Sequence, residues 1–209
     1  PDLRLLLMSA TLDGAKLAAW LDAPRLSSEG RSYPVTVSHF PARRDELLNS
    51  QLLRCVDDAL AKHEGDVLAF LPGRREIDLA ERALATRIEA SGSDARVLTL
   101  HGELPLEKQS EALSPDAQGR RRVVLATNVA ESSVTLPGVR VVIDSGLARE
   151  PRYDPNSGFS RLQVVNISQA SADQRAGRAG RVAAGAAFRL WPASQRLEPA
   201  RTAEIAQVE

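Results

Sequence analysis

Apolar, β-forming runs alternate with stretches of helical period along most of this 209-residue chain. This alternation predicts an α/β fold with a mostly parallel sheet flanked by helices. The predicted strands cover residues 3–8, 35–40, 67–71, 96–100, 123–127, 139–144 and 186–191. Ligands of such sheets bind beyond the carboxyl ends of the strands, so the segments that follow strands are the first candidates for chemistry.

The helical stretches lie between these strands. The clearest covers residues 47–63, where apolar side chains recur on one face. A second helix is predicted at 76–90 and a short one at 15–21. Residues 153–158 are rich in turn formers and lie between two runs that are able to pair, which predicts a β-hairpin insertion within 150–167.

Composition adds two constraints. Lysine plus arginine and aspartate plus glutamate each number 27, so the net charge is zero and no overall basic field is present. Positive charge is concentrated in two local clusters, at 120–122 and 174–181. Cys55 is the only cysteine and lies among apolar residues, which favours a reduced core thiol over a nucleophile. The histidines lack ligand-like spacing, so we expect no metal site within the chain.

Three arginines recur at intervals of three within residues 174–181: Arg175, Arg178 and Arg181. Ser171 followed by Gln174 predicts a capping box and the start of a helix, on which this spacing keeps the arginines near one face. Gly177 and Gly180 would together weaken that helix by about 2 kcal/mol, which indicates a close approach to the backbone. Planar guanidiniums suit phosphate oxygens. The spacing alone leaves a solvated arginine face as the alternative.

The ends of the chain suggest a piece of a longer protein. It begins at Pro1 without a methionine and enters an apolar run, and residues 204–209 are typical of the opening of a helix. No signal peptide or membrane-length apolar run is found in the sequence. We therefore expect a cytoplasmic protein that continues beyond both ends.

Five blocks, in this order, resemble the motifs of superfamily 2 helicases, most closely the bacterial HrpB-type members of the DEAH-box RNA helicases. Ser9-Ala10-Thr11 resembles motif III, residues 70–73 motif IV and residues 100–105 the block that follows. Residues 126–135 resemble motif V and residues 174–181 motif VI. The resemblance covers nearly the whole chain and implies a RecA-like sheet.

The same resemblance implies a domain organisation. Residues 1–28 would be the last strand and helix of the first RecA-like lobe, 29–192 the second lobe, and 193–209 the start of a downstream helical region. The 209 residues contain no G-x-x-x-x-G-K-[ST] loop and no Asp-Glu-x-His box. ATP and Mg²⁺ are the implied cofactors, held mainly by the first lobe, so the chain alone is expected to be inactive.

Site residues follow from the matched positions. The family binds ATP between its lobes, and Arg178 and Arg181 match the arginine fingers that stabilise the γ-phosphoryl group. Gln174 matches the glutamine that positions the attacking water or contacts the γ-phosphate. Ser133 and Thr135 match nucleotide-facing positions. For Arg175, a structural ion pair is the alternative to a ligand contact.

A second set of matched positions concerns nucleic acid and coupling. Its members are Thr127 and Asn128, which match backbone-holding residues, Gly73 and Arg74, in the RNA-contacting loop, and Ser9 and Thr11, which match residues that couple nucleotide state to lobe closure. The alternatives are an ordinary strand threonine at 127 and a solvated helix-start charge at 74. The hairpin at 150–167 matches one that projects toward nucleic acid, with a plain surface hairpin as the alternative.

Together these matches predict the second motor lobe of an ATP-dependent RNA helicase or translocase. Its implied partners are single-stranded RNA, bound without sequence preference, and the first lobe and downstream domains of the same protein. The alternatives are a non-catalytic RNA-binding scaffold module and a DNA-directed helicase. Two departures from the family pattern, Pro137 in place of an acidic residue and Leu113 in place of an aromatic one, indicate weaker contacts to ribose and base.

Overall fold

The computed structural model describes residues 14–26, 33–132, 134–154 and 158–199. They fall into two compact units that divide between residues 31 and 32. The smaller unit contains helix α1 (Gly14–Leu21), as predicted for residues 15–21. The strand predicted at 3–8 and the coupling residues Ser9 and Thr11 lie outside the described residues.

The larger unit is built on a six-stranded sheet in which each strand is parallel to its neighbours. The strands of this unit are β1 (Val35–His39), β2 (Asp66–Phe70), β3 (Arg96–Leu100), β4 (Arg122–Ala126), β5 (Val139–Asp144), β6 (Leu147–Asp154), β7 (Phe159–Asn166) and β8 (Gly185–Arg189). The sheet has the order β1-β8-β5-β2-β4-β3, and β6 and β7 form a separate pair. Each predicted strand in this unit agrees with the structure to within two residues at either end.

Helices cover both faces of the sheet. They are α2 (Leu48–Lys62), α3 (Arg74–Ser91), α4 (Leu106–Leu113), α5 (Val129–Ser132) and α6 (Gln169–Ala176), followed by a 3-10 turn at Gly177–Gly180. On one face, Leu52 of α2 and Leu84 of α3 pack with Val67 and Ile143. Because both faces are covered, the central strands are buried on both sides and appear in the sequence as continuous apolar runs.

The opposite face is closed by smaller side chains. Ala112 of α4, Ala130 of α5 and Ala176 of α6 pack with Leu68 and with other residues of the central strands. Small residues allow these short helices to approach the sheet closely, so the segments that carry the family motifs are held against its core. In the part of the chain that the structure describes, no helix is both long enough and apolar enough to cross a membrane.

The predicted hairpin is confirmed and begins three residues earlier than expected. Strands β6 and β7 pair antiparallel, from Leu147 opposite Asn166 to Asp154 opposite Phe159. The chain leaves β5 through Gly146, which has a φ of 73° and whose missing Cβ would lie 2.8 Å from the ring of Trp191. Glycine is therefore needed at 146, both for the left-handed backbone and for the space that the indole occupies.

Candidate functional site

Residues 174–181, which carry the three arginines and are called the arginine row below, cross one face of the sheet. Helix α6 starts near α5, where the hydroxyl of Ser171 donates to Glu131, and Arg175 reaches Asp144 at the end of β5. At the other end of the row, the N–H of Tyr33, just before β1, donates to the carbonyl oxygen of Gly180 at 2.8 Å. The row therefore begins at the carboxyl ends of the strands, where Arg175 binds Asp144, and ends near their amino ends, where Gly180 contacts Tyr33. The segment returns the chain from the hairpin to the start of β8, so it must run from one end of the sheet to the other.

Helix α6 begins earlier than the capping-box pattern predicted. Ser168 is the N-cap, and its Oγ accepts the N–H of Ser171 at 3.1 Å. The prediction that Ser171 and Gln174 form the capping box was wrong, because both lie inside the helix. The α-helix then ends at Ala176, and the residues that follow form the 3-10 turn. Arg175 and Arg178 consequently belong to different elements.

Arg175 is a buried structural residue with an exposed fraction of 1%. Its Nε donates to Glu131 at 2.9 Å and its Nη1 to Asp144 at 2.8 Å, while the guanidinium lies 4.8 Å from the centre of the Phe70 ring. Burial raises the pKa of Asp144, and the guanidinium of Arg175 opposes that shift. Of the two alternatives for Arg175, the structure shows the ion pair, which ties α5, α6 and the ends of β2 and β5 together.

Arg178 is also buried, with 3% of its surface exposed, but it lacks a carboxylate partner among the described residues. Its Nη1 donates to the carbonyl oxygen of Val134, whereas Nε and Nη2 have no acceptor in that part of the chain. Burial lowers its pKa to about 10, and the nearby charge of Arg181 acts in the same direction. The group is therefore still a cation at neutral pH. A buried cation with unmet donors is costly, and an anion that reached it would remove that cost.

The remaining residues predicted to bind nucleotide differ in their exposure and in their relation to this cation. Thr135 is exposed and directly follows Val134, whose carbonyl oxygen binds Arg178. Arg181 is exposed just beyond the 3-10 turn, and Gln174 is half-buried in the last turn of α6. Ser133 lies outside the described residues. The structure thus brings together two arginines and the strand-connecting segment that carries Thr135.

The two glycines of the row have different surroundings. A Cβ at Gly180 would lie 2.5 Å from the carbonyl oxygen of Tyr33 and 2.7 Å from a methyl group of Val35, whereas a Cβ at Gly177 would have no atom within 4 Å among the described residues. The close backbone approach that the glycines predicted is therefore made at Gly180 by the chain itself. It closes the packing between the 3-10 turn and β1.

The residues predicted to contact nucleic acid lie at the carboxyl ends of two neighbouring strands, where Arg74 follows β2 and Thr127 and Asn128 follow β4. Glu103, which was not predicted as a site residue, follows β3 on the other side of β4. The N–H of Thr127 donates to the carbonyl oxygen of Leu100 at 3.2 Å, which joins two of the loops. Nη1 of Arg74 donates to Glu103 Oε2 at 2.9 Å, which joins the third. Asn128 is exposed and Thr127 half-buried. This end of the sheet, called the carboxyl edge below, therefore offers a hydroxyl, an amide and a guanidinium to a ligand.

Gly73 is buried in this edge beneath Arg149 of β6. A Cβ at position 73 would lie 2.7 Å from Arg149 Nε, and Nη2 of Arg149 lies 3.5 Å from Glu76 Oε1 on α3. A ligand that approached this edge would therefore meet the side chains of Arg74 and Arg149 before the backbone of Gly73. Sequence reasoning missed Arg149 because its position depends on how the hairpin folds back. It also missed Glu131, although that residue lies within the recognised block at 126–135.

A groove of about 860 Å³ continues from this edge. Asn128 and Glu131 line one side, Arg152 of the hairpin another, and Ser171 and Arg196 also line it. Both charge signs are present, so the groove carries no uniform field. Its position connects the loop after β4 with the base of the hairpin.

Each guanidinium of the other basic cluster, at 120–122, is bound by acceptors of the chain. Arg120 contacts Asp116, and Arg121 donates to the carbonyl oxygens of Gly65 and Leu60, although its Nη2 has no acceptor among the described residues. Arg122 is 1% exposed and binds Asp66 at 2.6 Å, with further donors directed at three backbone carbonyls. The cluster closes the amino-terminal end of the sheet, which makes it structural.

The described residues contain no group of three or more histidine, cysteine, aspartate or glutamate side chains arranged to hold a metal ion. Cys55 is buried, and burial raises the pKa of its thiol to about 12. The interpretation of Cys55 as a protonated core thiol is consistent with this environment.

Comparison with known proteins gives one family. Residues 48–183 match the helicase conserved C-terminal domain. The chain is 42% identical over 204 residues to the ATP-dependent RNA helicase HrpB of Escherichia coli K12, which covers 97% of this chain and 25% of that protein.

Solved structures agree with this match. The crystal structure of the Escherichia coli DEAH/RHA helicase HrpB has a TM-score of 0.87 at 41% identity, over 96% of this chain and 26% of that one. A second, of the E. coli DExH-box NTPase HrpB, has a TM-score of 0.85 at 42% identity, over 96% and 25%. The chain thus spans about a quarter of the length of these relatives, and the predicted RecA-like α/β fold is confirmed. By sequence and by structure, the chain belongs to the helicase conserved C-terminal domain family.

Proposed function

We propose that this chain is the second motor lobe of an ATP-dependent RNA helicase and acts as part of a longer protein. The observation that carries the proposal is Arg178, a buried cation with two donors unmet among the described residues, beside Arg181. Two cations placed together without a carboxylate partner for the buried one are typical of a site for a polyanion. The similarity to a protein named as an ATP-dependent RNA helicase supports ATP as that polyanion and RNA as the substrate.

In this proposal Arg178 and Arg181 stabilise the charge that develops on the γ-phosphoryl group as it passes to water. Gln174 orients the water or contacts the same phosphate, and Ser133 and Thr135 face the nucleotide. Mg²⁺ is held mainly by the first lobe. Binding of a phosphate oxygen would satisfy the two open donors of Arg178, which fits the present arrangement of that side chain.

The carboxyl edge of the sheet is proposed to hold the RNA. Thr127, Asn128 and Arg74 there offer one neutral hydroxyl, one amide and one cation, groups that bind sugar and phosphate without reading the bases. We assign Gly73 a positional role beside Arg74. The hairpin would project toward the same strand of RNA, because its base borders the groove that starts at Asn128.

The buried ion pairs of Arg175 connect the two proposed sites. Glu131 lies three residues after Asn128, on α5, and its carboxylate binds both Arg175 and Ser171 of α6. Movement of the arginine row on nucleotide binding would therefore pull on the helix that begins beside the RNA residues. Ser9 and Thr11 are proposed to transmit the same change from the first lobe.

We retain the proposed domain boundaries, with residues 1–28 in the first lobe, 29–192 in the second and 193–209 in a downstream region. Half of the ATP site is then absent from the chain. The purified 209-residue chain is expected to show no ATP turnover, and measurable turnover would contradict the two-lobe arrangement.

The decisive experiment is an ATPase assay on the full-length protein with no nucleic acid, with single-stranded RNA and with single-stranded DNA of the same length. We expect hydrolysis that RNA stimulates more than DNA does. Absence of hydrolysis under all three conditions would favour the scaffold alternative. Equal or stronger stimulation by DNA would favour the DNA-directed helicase.

A further inference from the structure

The guanidinium that we assign to RNA is already bound by a carboxylate. Arg74 is the first residue of α3 and Glu103 lies 29 residues further along, in the loop after β3, and their Nη1 and Oε2 atoms lie 2.9 Å apart. The two side chains are 60% and 69% exposed, so the contact lies at the surface where RNA would approach. An exposed ion pair of this kind is weak, because water competes for both partners.

Arg74 has a second acidic neighbour that does not replace the first. Asp78, four residues later on α3, has its Oδ2 3.6 Å from Arg74 Nε, a distance too long for a hydrogen bond. Glu103 is therefore the carboxylate that fixes the direction of the guanidinium. It is supplied by the loop after β3, and Thr127 and Leu100 join that loop to the loop after β4.

A phosphate oxygen and the Glu103 carboxylate require the same donor atoms. A guanidinium binds a phosphate or a carboxylate with similar geometry. An RNA phosphate that binds Arg74 must therefore displace Glu103 or share the N–H donors of the guanidinium with it. A displaced Glu103 would remain next to the phosphate and repel it. Both effects weaken the contact, and both end when the phosphate leaves.

We infer that Glu103 is an internal competitor for Arg74, which lowers the affinity for the RNA backbone and speeds release of the strand. A motor that steps along RNA has to release each phosphate before the next step. A lower affinity for the phosphate therefore favours stepping. This inference rests on the proposed function, because it assumes that Arg74 contacts RNA. It adds a residue, Glu103, whose effect on affinity has the opposite sign to that of its neighbours.

The test compares RNA binding by variants of the full-length protein without nucleotide, using fluorescence anisotropy with a labelled oligouridylate. Glu103→Gln is expected to bind about two- to fivefold tighter with slower dissociation, because Arg74 no longer has an internal partner. Arg74→Ala is expected to bind about two- to fivefold more weakly. In the double variant the gain from Glu103→Gln should be lost, since a double-mutant cycle reports their coupling.

Glu107→Gln is the matched control. It removes the same charge from an exposed position four residues further on, in the first turn of α4. Equal gains for Glu103→Gln and Glu107→Gln, or a gain that persists without Arg74, would overturn the inference and leave the proposed function intact. If the wild-type protein does not bind the oligouridylate at all, the proposed function fails together with the inference.

Discussion

The two arginine clusters of this chain differ in what surrounds them. At 120–122, each guanidinium binds carboxylates or carbonyl oxygens of the same chain, and the most buried, Arg122, has a carboxylate 2.6 Å away. In the row at 174–181, Arg175 is paired in the same manner, whereas Arg178 is nearly as buried and, among the described residues, has only the Val134 carbonyl oxygen as an acceptor. The sequence presents both clusters as basic patches. Only the partner atoms show that the first holds the fold together and that the second has capacity for a ligand.

This difference also separates the residues within one motif. Arg175 and Arg178 are three residues apart and both buried, yet one ends in two carboxylates and the other has two donors without an acceptor among the described residues. The break from α-helix to 3-10 turn at Gly177 gives them different directions. A regularly spaced row of identical side chains can therefore combine a structural ion pair with a binding site.

The strongest test of the comparison is Arg178→Ala in the full-length protein. If Arg178 stabilises the transferred phosphoryl group, hydrolysis should fall by about 10³- to 10⁵-fold, while ATP binding changes much less. Steady-state ATPase and nucleotide-binding assays separate the two quantities. Arg82→Ala, at an exposed position in the middle of α3, is the control and should leave both unchanged. An unchanged kcat in Arg178→Ala would remove the basis of the finger assignment.

Replacing each buried arginine with methionine tests the same comparison on stability. Arg122→Met leaves Asp66 and several carbonyls without their donor, so we expect the free energy of unfolding to fall by about 3–5 kcal/mol. Arg178→Met removes a cation that has no carboxylate partner among the described residues, so the expected loss is below about 1 kcal/mol. Urea unfolding of the 209-residue chain measures both. Similar losses for the two variants would show that Arg178 is as structural as Arg122.

Asn128→Ala probes the neutral contacts at the carboxyl edge. Loss of one hydrogen bond to the RNA backbone should weaken binding by about three- to tenfold, equally for different sequences. Because asparagine is uncharged, the dependence of affinity on salt should stay the same, whereas Arg74→Ala should reduce the log–log salt slope by about 1. Titrations at several salt concentrations distinguish the two effects. A loss that depended on the base sequence would contradict backbone contact.

The smallest expected effect is a loss of folding stability at acid pH, caused by protonation of Asp116 beside the basic cluster at 120–122. The guanidiniums of Arg120 and Arg96 hold the pKa of Asp116 well below its ordinary value of 3.8. The folded state therefore gains stability from this carboxylate above that pH and loses it progressively as the pH falls below it. Thermal unfolding between pH 6 and pH 2.5 should show this loss, and Asp116→Asn should make the profile flatter. An identical profile in the variant would rule out this contribution.

Much of the fold was predictable because the central strands are buried on both faces. Their apolar runs, such as 67–71, have no polar interruption and end at turn formers, so the predicted bounds lie close to those of β2. The hairpin was predictable from its turn residues. The helix at α6 was harder, since Ser168 and Ser171 are both good caps and tertiary contact with Glu131 keeps Ser171 within the helix.

The site could be predicted as a list of residues but not as an arrangement. The motif blocks indicated Thr127, Asn128 and Arg178, and the parallel order of β3, β4 and β2 explains why the edge loops meet. The orientation of Arg178 follows from the 3-10 turn and from Val134, and neither has a local sequence signal. Arg149 lies against Gly73, which is 76 positions away in the chain, and Glu103 binds Arg74, which is 29 positions away. Periodicity therefore gives no information about either residue.

The packing of Gly180 against Tyr33 changes how the eight letters of residues 174–181 should be interpreted. A methyl group at 180 would collide with a backbone carbonyl, so substitution there would be selected against even in a protein that never met a nucleotide. A methyl group at 177 would enter open space, so any intolerance at that position has to come from a molecule or domain outside the described residues. Tolerance to mutation at these two glycines therefore measures separate constraints. At 180 the constraint is the packing of the fold, and at 177 it is contact with another molecule or domain.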